Sequence, residues 1–294
     1  MTVSGGGSSS GAKRVCGDTS AGTPVDIGAM SRAWKTTEAT AGSPGYKYKC
    51  KIGAMPNVTR IDVAIDGLVV IVKKNSIAAA CITIMGGLNF NQLRWMFSGY
   101  STTQLTNSGW PASTLAKSDS NTNTHLFSEL NSRCSAKEIE LVGPTSVFGT
   151  HTYFLETILT NNANTETFPT APRYVGTTTD ALTINKVRND TTGTSIGYVS
   201  YNAYNKEKTT ITAVSLKKTT TGSFIAPTSD TIADGTYPLS RRIYMNVRTS
   251  TVAKTKAFIA YGMSAMGTSK VTAKGFSPIP SSERAGMVAR LLSH

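Results

Sequence analysis

Three glycines and three serines in succession, Gly5-Gly6-Gly7-Ser8-Ser9-Ser10, run directly into Gly11-Ala12-Lys13-Arg14-Val15. Glycine lets the backbone turn sharply and approach a ligand closely. The serines add short hydroxyl donors. Ala12–Val15 is read as the first turn of a helix, with Val3 closing a strand before the loop. A helix N-terminus lined with N–H and O–H donors suits a small anion, because orphan amides and the macrodipole both favour negative charge. Taken alone, the ten residues also fit a flexible Gly/Ser linker. The rest of the chain decides between the two.

A chain of 294 residues accommodates two domains or one large α/β domain. Hydrophobic residues make up 39% and charged residues 16%, so a Thr/Ser/Gly/Asn-rich polar surface surrounds recurrent apolar runs. That pattern excludes a disordered chain. No apolar run reaches the length of a membrane span, and the opening residues lack the apolar stretch of a signal peptide. Lysine plus arginine number 30 against 17 acidic residues, a net charge of +13 that concentrates anions. The basic residues are dispersed in pairs such as Lys73-Lys74, Lys217-Lys218 and Arg241-Arg242. A nucleic-acid binder would cluster them on one face among aromatics. A small anion is therefore the expected partner, and no nucleic acid.

The cysteines, Cys16, Cys50, Cys81 and Cys134, form no closely spaced pair, and His125, His151 and His294 do not group with them. A zinc site is not expected. Two disulfides in an exported protein, in one of about three connectivities, and four buried free thiols both fit. The sequons Asn57-Val58-Thr59 and Asn189-Asp190-Thr191 matter only in a eukaryotic secretory route. No paired-carboxylate constellation and no hydrolase, zincin or P-loop motif is present. Neither catalysis nor a cofactor is expected.

Along the chain, strands are predicted at 25–29, at 61–65 and 68–72 around an Asp66-Gly67 turn, and at 139–142, 196–201 and 243–247. Helices are predicted at 84–97, 152–159, 257–263 and 283–292, and a loop at 100–125. Such alternation predicts a largely parallel sheet with helices on both faces. Asp26 reads as a cap, Trp34, Trp95 and Trp110 as packing residues, His151 as a surface residue and Ser240-Arg241 as part of a structural strand.

Five segments in order carry a family resemblance. They are Gly5–Val15; Val25-Asp26-Ile27-Gly28-Ala29-Met30-Ser31-Arg32; Ala64–Val72; Ile139–Pro144 with Gly149–Glu156; and Ile196-Gly197-Tyr198 followed by Asp234–Arg241 and Gly275–Pro280. Together they resemble the phosphate-binding proteins of bacterial phosphate ABC transporters, of the type II periplasmic-binding-protein superfamily. The resemblance implies an α/β fold of two domains joined by two crossing strands that close on phosphate like a hinge. It places residues 1–72 with 241–294 in one domain and 73–240 in the other.

Residue by residue, the resemblance makes Ser8 a phosphate donor, with Ser9, Ser10 and Gly11 beside it at the helix start. Ser31 and Arg32 form a second loop, Arg32 being the sole guanidinium because Pro144 stands at the family's other arginine position. Gly149 and Thr150 match the family's Gly-Thr; Phe148 stands where the family has serine, and Ser146 is its substitute. Family members begin with a strand and helix that this chain lacks ahead of its Gly/Ser loop, so an incomplete N-terminus is expected. The implied role is phosphate capture by a periplasmic or cell-surface monomer serving a membrane ABC transporter. A phosphatase-like enzyme on the same scaffold and a surface protein with a degenerate anion pocket stand as alternatives.

Overall fold

The Val/Ile-rich stretch around Asp66-Gly67 is one uninterrupted strand of 17 residues, not two strands about a turn. Gly67 is needed for packing: the Ile232 side chain lies within 2.5 Å of where its Cβ would sit. Asp66 is held in the extended backbone by an ion pair with Arg241. The structure, a computed structural model, describes residues 7–54, 57–109, 125–146, 148–160 and 170–291. Val3, Gly5, Gly6, Trp110, Pro111 and the end of the helix expected to reach residue 292 lie outside these.

In chain order, α1 (Ser8–Val15), β1 (Ile27–Met30), β2 (Ala39–Ala41) and β3 (Lys47–Cys50) lead to the long β4 (Asn57–Lys73). Then come α2 (Ile77–Met85), β5 (Leu88–Asn89), α3 (Phe90–Phe97), α4 (Thr102–Asn107), α5 (Phe127–Leu130), β6 (Glu140–Pro144) and α6 (Gly149–Ile158). They are followed by β7 (Tyr174–Thr177), α7 (Asp180–Asn189), β8 (Ser195–Ser200), α8 (Tyr201–Glu207), β9 (Ile211–Ala213), β10 (Leu216–Lys217) and α9 (Ser229–Ala233). The chain ends with β11 (Ser240–Arg248), α10 (Val252–Met263), α11 (Ala265–Ala273), β12 (Ser277–Pro278) and α12 (Ser281–Ala289). Two compact units result, Met1–Asp66 with Arg241–His294 and Gly67–Ser240. The chain leaves the first along β4 and returns to it along β11.

In the first unit β1 runs antiparallel to β11, and β3 and β12 run antiparallel to β4. In the second, β4 is antiparallel to β8 and β9, while β6 is parallel to both β7 and β8. The sheet is therefore mixed, not largely parallel as alternation predicted. The long β4 and returning β11 supply the antiparallel part, since β3, β8, β9 and β12 all run against β4 and β1 runs against β11, while the parallel pairs are confined to β6, β7 and β8.

Two helix predictions also change. The stretch 84–97 is not one helix. Gly86, in the left-handed region at φ 77°, ends α2, and an Asn89–Gln92 capping box starts α3. Part of the expected 100–125 loop is α4, opened by a Ser101–Gln104 capping box. Helix α1 starts at Ser8, so Ala12 lies in its body and not in its first turn.

Packing of α1 on β1 is backbone against backbone. A Cβ at Gly11 would run into the Ala29 carbonyl oxygen, and one at Gly28 into the Gly11 carbonyl oxygen. Val15, Cys16 and Val58 are buried there, with Trp34 and Tyr48 packed against them. Trp34 Nε1 also donates to Asn246 Oδ1 at 2.8 Å. In the second unit Trp95 is fully buried, and Phe154 stacks on Tyr198 at 4.0 Å with Phe97 edge-on at 4.9 Å.

All four cysteines pair, Cys16 with Cys50 and Cys81 with Cys134, which settles the connectivity and removes the free-thiol alternative. Each bridge closes a loop within one unit, over 34 and 53 residues. Loop closure of that length constrains the unfolded chain by about 4 kcal/mol per bridge. Such bridges persist in oxidising compartments. Among the described residues no helix is long and apolar enough to cross a membrane.

Two outcomes are expected. Gly28→Ala lowers unfolding stability by about 1–3 kcal/mol, read from urea midpoints, because α1 must move off β1. Asp190 gives an acid-stability signature. Burial alone would raise its pKa, but hydrogen bonds from Thr192 and Ser195 outweigh this and hold it at about 2. Its folded pKa lies below the unfolded value of about 3.9, so its stabilisation is present above pH ~4 and lost as pH falls through about 2. Asp190→Asn is then less stable at neutral pH, with the difference from the native protein narrowing in acid melts as pH falls from about 4 through 2.

Candidate functional site

Helix α1 begins with Gly7 as N-cap, a residue without a side chain to cover the first turn. The amides with no intrahelical acceptor are those of Ser8, Ser9 and Ser10. Gly11 is already inside the helical ladder, its N–H donating to Gly7 O at 3.0 Å, and its place is the contact with β1. The close approach of α1 to β1 brings Ser31, just past β1, onto Ser8. Ser31 N donates to Ser8 Oγ at 3.0 Å, and the two hydroxyl oxygens are 3.3 Å apart.

Arg32 is buried beside them, and its terminal nitrogens are fully engaged. Nη1 donates to Glu38 Oε2 and to Ala33 O, both at 2.9 Å. Nη2 donates to Glu38 Oε1 at 2.8 Å and to Ser9 Oγ at 3.0 Å. Ser9 itself is exposed, so a buried guanidinium holds an exposed hydroxyl from behind. Glu38, which the sequence reading passed over, also accepts from Lys35 N at 3.1 Å.

Arg32 is not the sole guanidinium of this cluster. Arg241, read from sequence as structural, donates from Nη2 and Nε to Asp66 Oδ2 at 2.7 and 3.1 Å, and from Nη1 to Ser31 Oγ at 3.4 Å. Asp66 and Arg241 are 175 positions apart, so no local pattern announces their pairing. They stand at the two points where the chain passes between its units.

In the second unit Gly149 and Thr150 open α6, whose N-cap, Phe148, supplies no side-chain hydrogen bond and is exposed. Ser146 is exposed in the preceding turn, where Phe148 N donates to Thr145 O at 3.1 Å. His151, expected on the surface, is half-buried and meets Tyr174 edge-on at 6.1 Å. Burial lowers its pKa below 6.5, which favours the neutral imidazole. The ordinary exposure rule for histidine fails because the Tyr174 ring stands behind it. Tyr174 in turn donates to Pro144 O at 2.6 Å.

In the first unit the structure thus brings together Ser8, Ser9, Ser31 and Arg32 at one helix start, and in the second it sets Gly149 and Thr150 at another. Among the described residues no group of His, Cys, Asp and Glu is arranged to hold a metal ion. What the first cluster offers a ligand is hydroxyl and amide hydrogens backed by two guanidinium–carboxylate pairs, a chemistry suited to an anion.

A family model described as PBP superfamily domain matches residues 1–265. The chain belongs to that family. The phosphate-binding protein PstS of Pseudomonas aeruginosa is 25% identical over 260 residues, covering 87% of this chain and 68% of its own. Among solved structures, a possible phosphate binding protein from Planctomyces limnophilus covers 92% of this chain and 81% of its own, with a TM-score of 0.63 at 20% identity. An ABC-type phosphate transport receptor from Vibrio cholerae covers 95% and 88%, with a TM-score of 0.62 at 20% identity. The fold is the mixed α/β, two-domain periplasmic-binding-protein fold of this family.

The Asp66–Arg241 pair is nearly closed to solvent, at 8% and 9% side-chain exposure. Removing one partner of a buried pair strands the other charge. Asp66→Ala is expected to cost about 3–5 kcal/mol of stability in urea unfolding.

Proposed function

We propose that this protein binds inorganic phosphate and presents it to a membrane ABC transporter outside the cytoplasm, acting as a monomeric binding protein and not as an enzyme. The observation that carries the reading is the convergence of the Ser8, Ser9 and Ser31 hydroxyls on the uncapped start of α1. The phosphate-binding and phosphate-transport proteins that the chain resembles support it. The disulfides support a place in an oxidising compartment. The net charge of +13 favours arrival of an anion.

In this reading Ser8, Ser9, Ser10 and Ser31 donate to phosphate oxygens, Gly11 fixes the helix that carries them, and Arg32 belongs to the same cluster. Ser146, Gly149 and Thr150 of the second unit are taken as a second set of donors on the strength of the resemblance. The anion is desolvated by neutral donors, while Glu38 and Asp66 are committed to guanidiniums and leave weak demand for a protonated ligand. Sulfate is therefore a competitor of comparable affinity.

Titration calorimetry of phosphate into stripped protein tests this. Saturable one-to-one binding is expected, weakened about tenfold or more by Ser8→Ala, which deletes a hydrogen bond to a charged ligand. Absence of heat, with no thermal stabilisation by phosphate, overturns the reading in favour of a surface protein with a defunct pocket. Turnover of a phosphomonoester overturns it in favour of an enzyme.

A further inference from the structure

Arg32 carries a positive charge into the serine cluster, and the simplest expectation is a fork that grips two oxygens of the anion. The geometry assigns that fork elsewhere. An arginine has two hydrogens on each terminal nitrogen, and in Arg32 all four point at acceptors of this chain: two on Glu38, one on Ala33 O and one on Ser9 Oγ. The guanidinium and its carboxylate are both buried, at 7% and 11% side-chain exposure, while Ser9 is exposed.

We propose that Arg32 is a positioning residue, locked by Glu38, that acts on the anion through the Ser9 hydroxyl and does not touch the anion itself. The inference rests on the phosphate reading above. A hydroxyl oxygen that accepts from a guanidinium has one of its two lone pairs occupied and its O–H polarised, so its own proton is offered to the anion as a stronger donor. Glu38 is needed twice over. It cancels a charge that would otherwise be costly to bury, and it fixes the plane of the guanidinium so that Nη2 meets Ser9.

Double-mutant cycles with phosphate calorimetry separate the two roles. Arg32→Ala, Ser9→Ala and their combination are compared with the native protein, all checked for a cooperative melt. A brace working through Ser9 makes Arg32→Ala cost about tenfold or more in the native background and less than about twofold once Ser9 is alanine. Equal losses in both backgrounds, or a Ser9→Ala variant with native affinity, overturn the proposal. Arg32→Lys keeps the charge and loses the fork. A loss as large as that of Arg32→Ala supports the brace, and recovery toward native affinity overturns it. Should Arg32→Ala fail to melt cooperatively, the cycle is run with Glu38→Gln, which retains shape. Weaker binding that disappears in the Ser9→Ala background supports the brace; equal or tighter binding, as expected of a guanidinium released to the anion, overturns it. No heat with the native protein overturns the phosphate reading itself, and the brace with it, which is an outcome distinct from all of these.

Discussion

Everything at the candidate site depends on how closely α1 lies on β1. Two glycines facing each other, Gly11 on the helix and Gly28 on the strand, allow main chain to touch main chain. That approach sets the start of the helix against the loop after β1, so that Ser31 can donate its amide to Ser8 and Arg32 can reach Ser9. A side chain at either glycine would lift the helix away and separate two short side chains that have no reach of their own.

The electrostatics follow a consistent plan. Positive charge is brought to the serines, but each guanidinium comes with its own carboxylate, Glu38 for Arg32 and Asp66 for Arg241. Buried charge is tolerable only when paired and hydrogen-bonded, so the pairs act as polarised supports for hydroxyl donors and not as loose cations. The general excess of basic residues lies elsewhere and acts at longer range.

Much of this was legible in the sequence, for identifiable reasons. The Gly/Ser run by itself fitted a flexible linker as well as an open helix start, and it was the ordered motifs of the resemblance that favoured the helix start and named Ser31-Arg32. The start of α1 was misplaced by four residues because serine is a weak helix former except in a first turn, where its hydroxyl suits the free amides. Asp66-Gly67 looked like a turn because that dipeptide usually is one. Its strand conformation depends on Arg241 and Ile232, residues with no local link to it. The break within 84–97 was readable in Gly86-Gly87 and Asn89-Phe90-Asn91-Gln92, where glycine and a capping box outweigh the apolar spacing.

By itself, the sequence determined what local chemistry can specify. It set a helix start rich in donors, a β-forming run through Val72, a polar surface with excess positive charge, and an ordered set of motifs that belongs to one family. Tertiary structure alone decided which cysteines join, which arginine meets which carboxylate, and whether a guanidinium faces a ligand or braces a hydroxyl. Apart from Arg32 with Glu38, six positions away, these are pairings across 23 to 175 positions, where the deciding energy comes from burial and geometry shared by segments that carry no mark of one another.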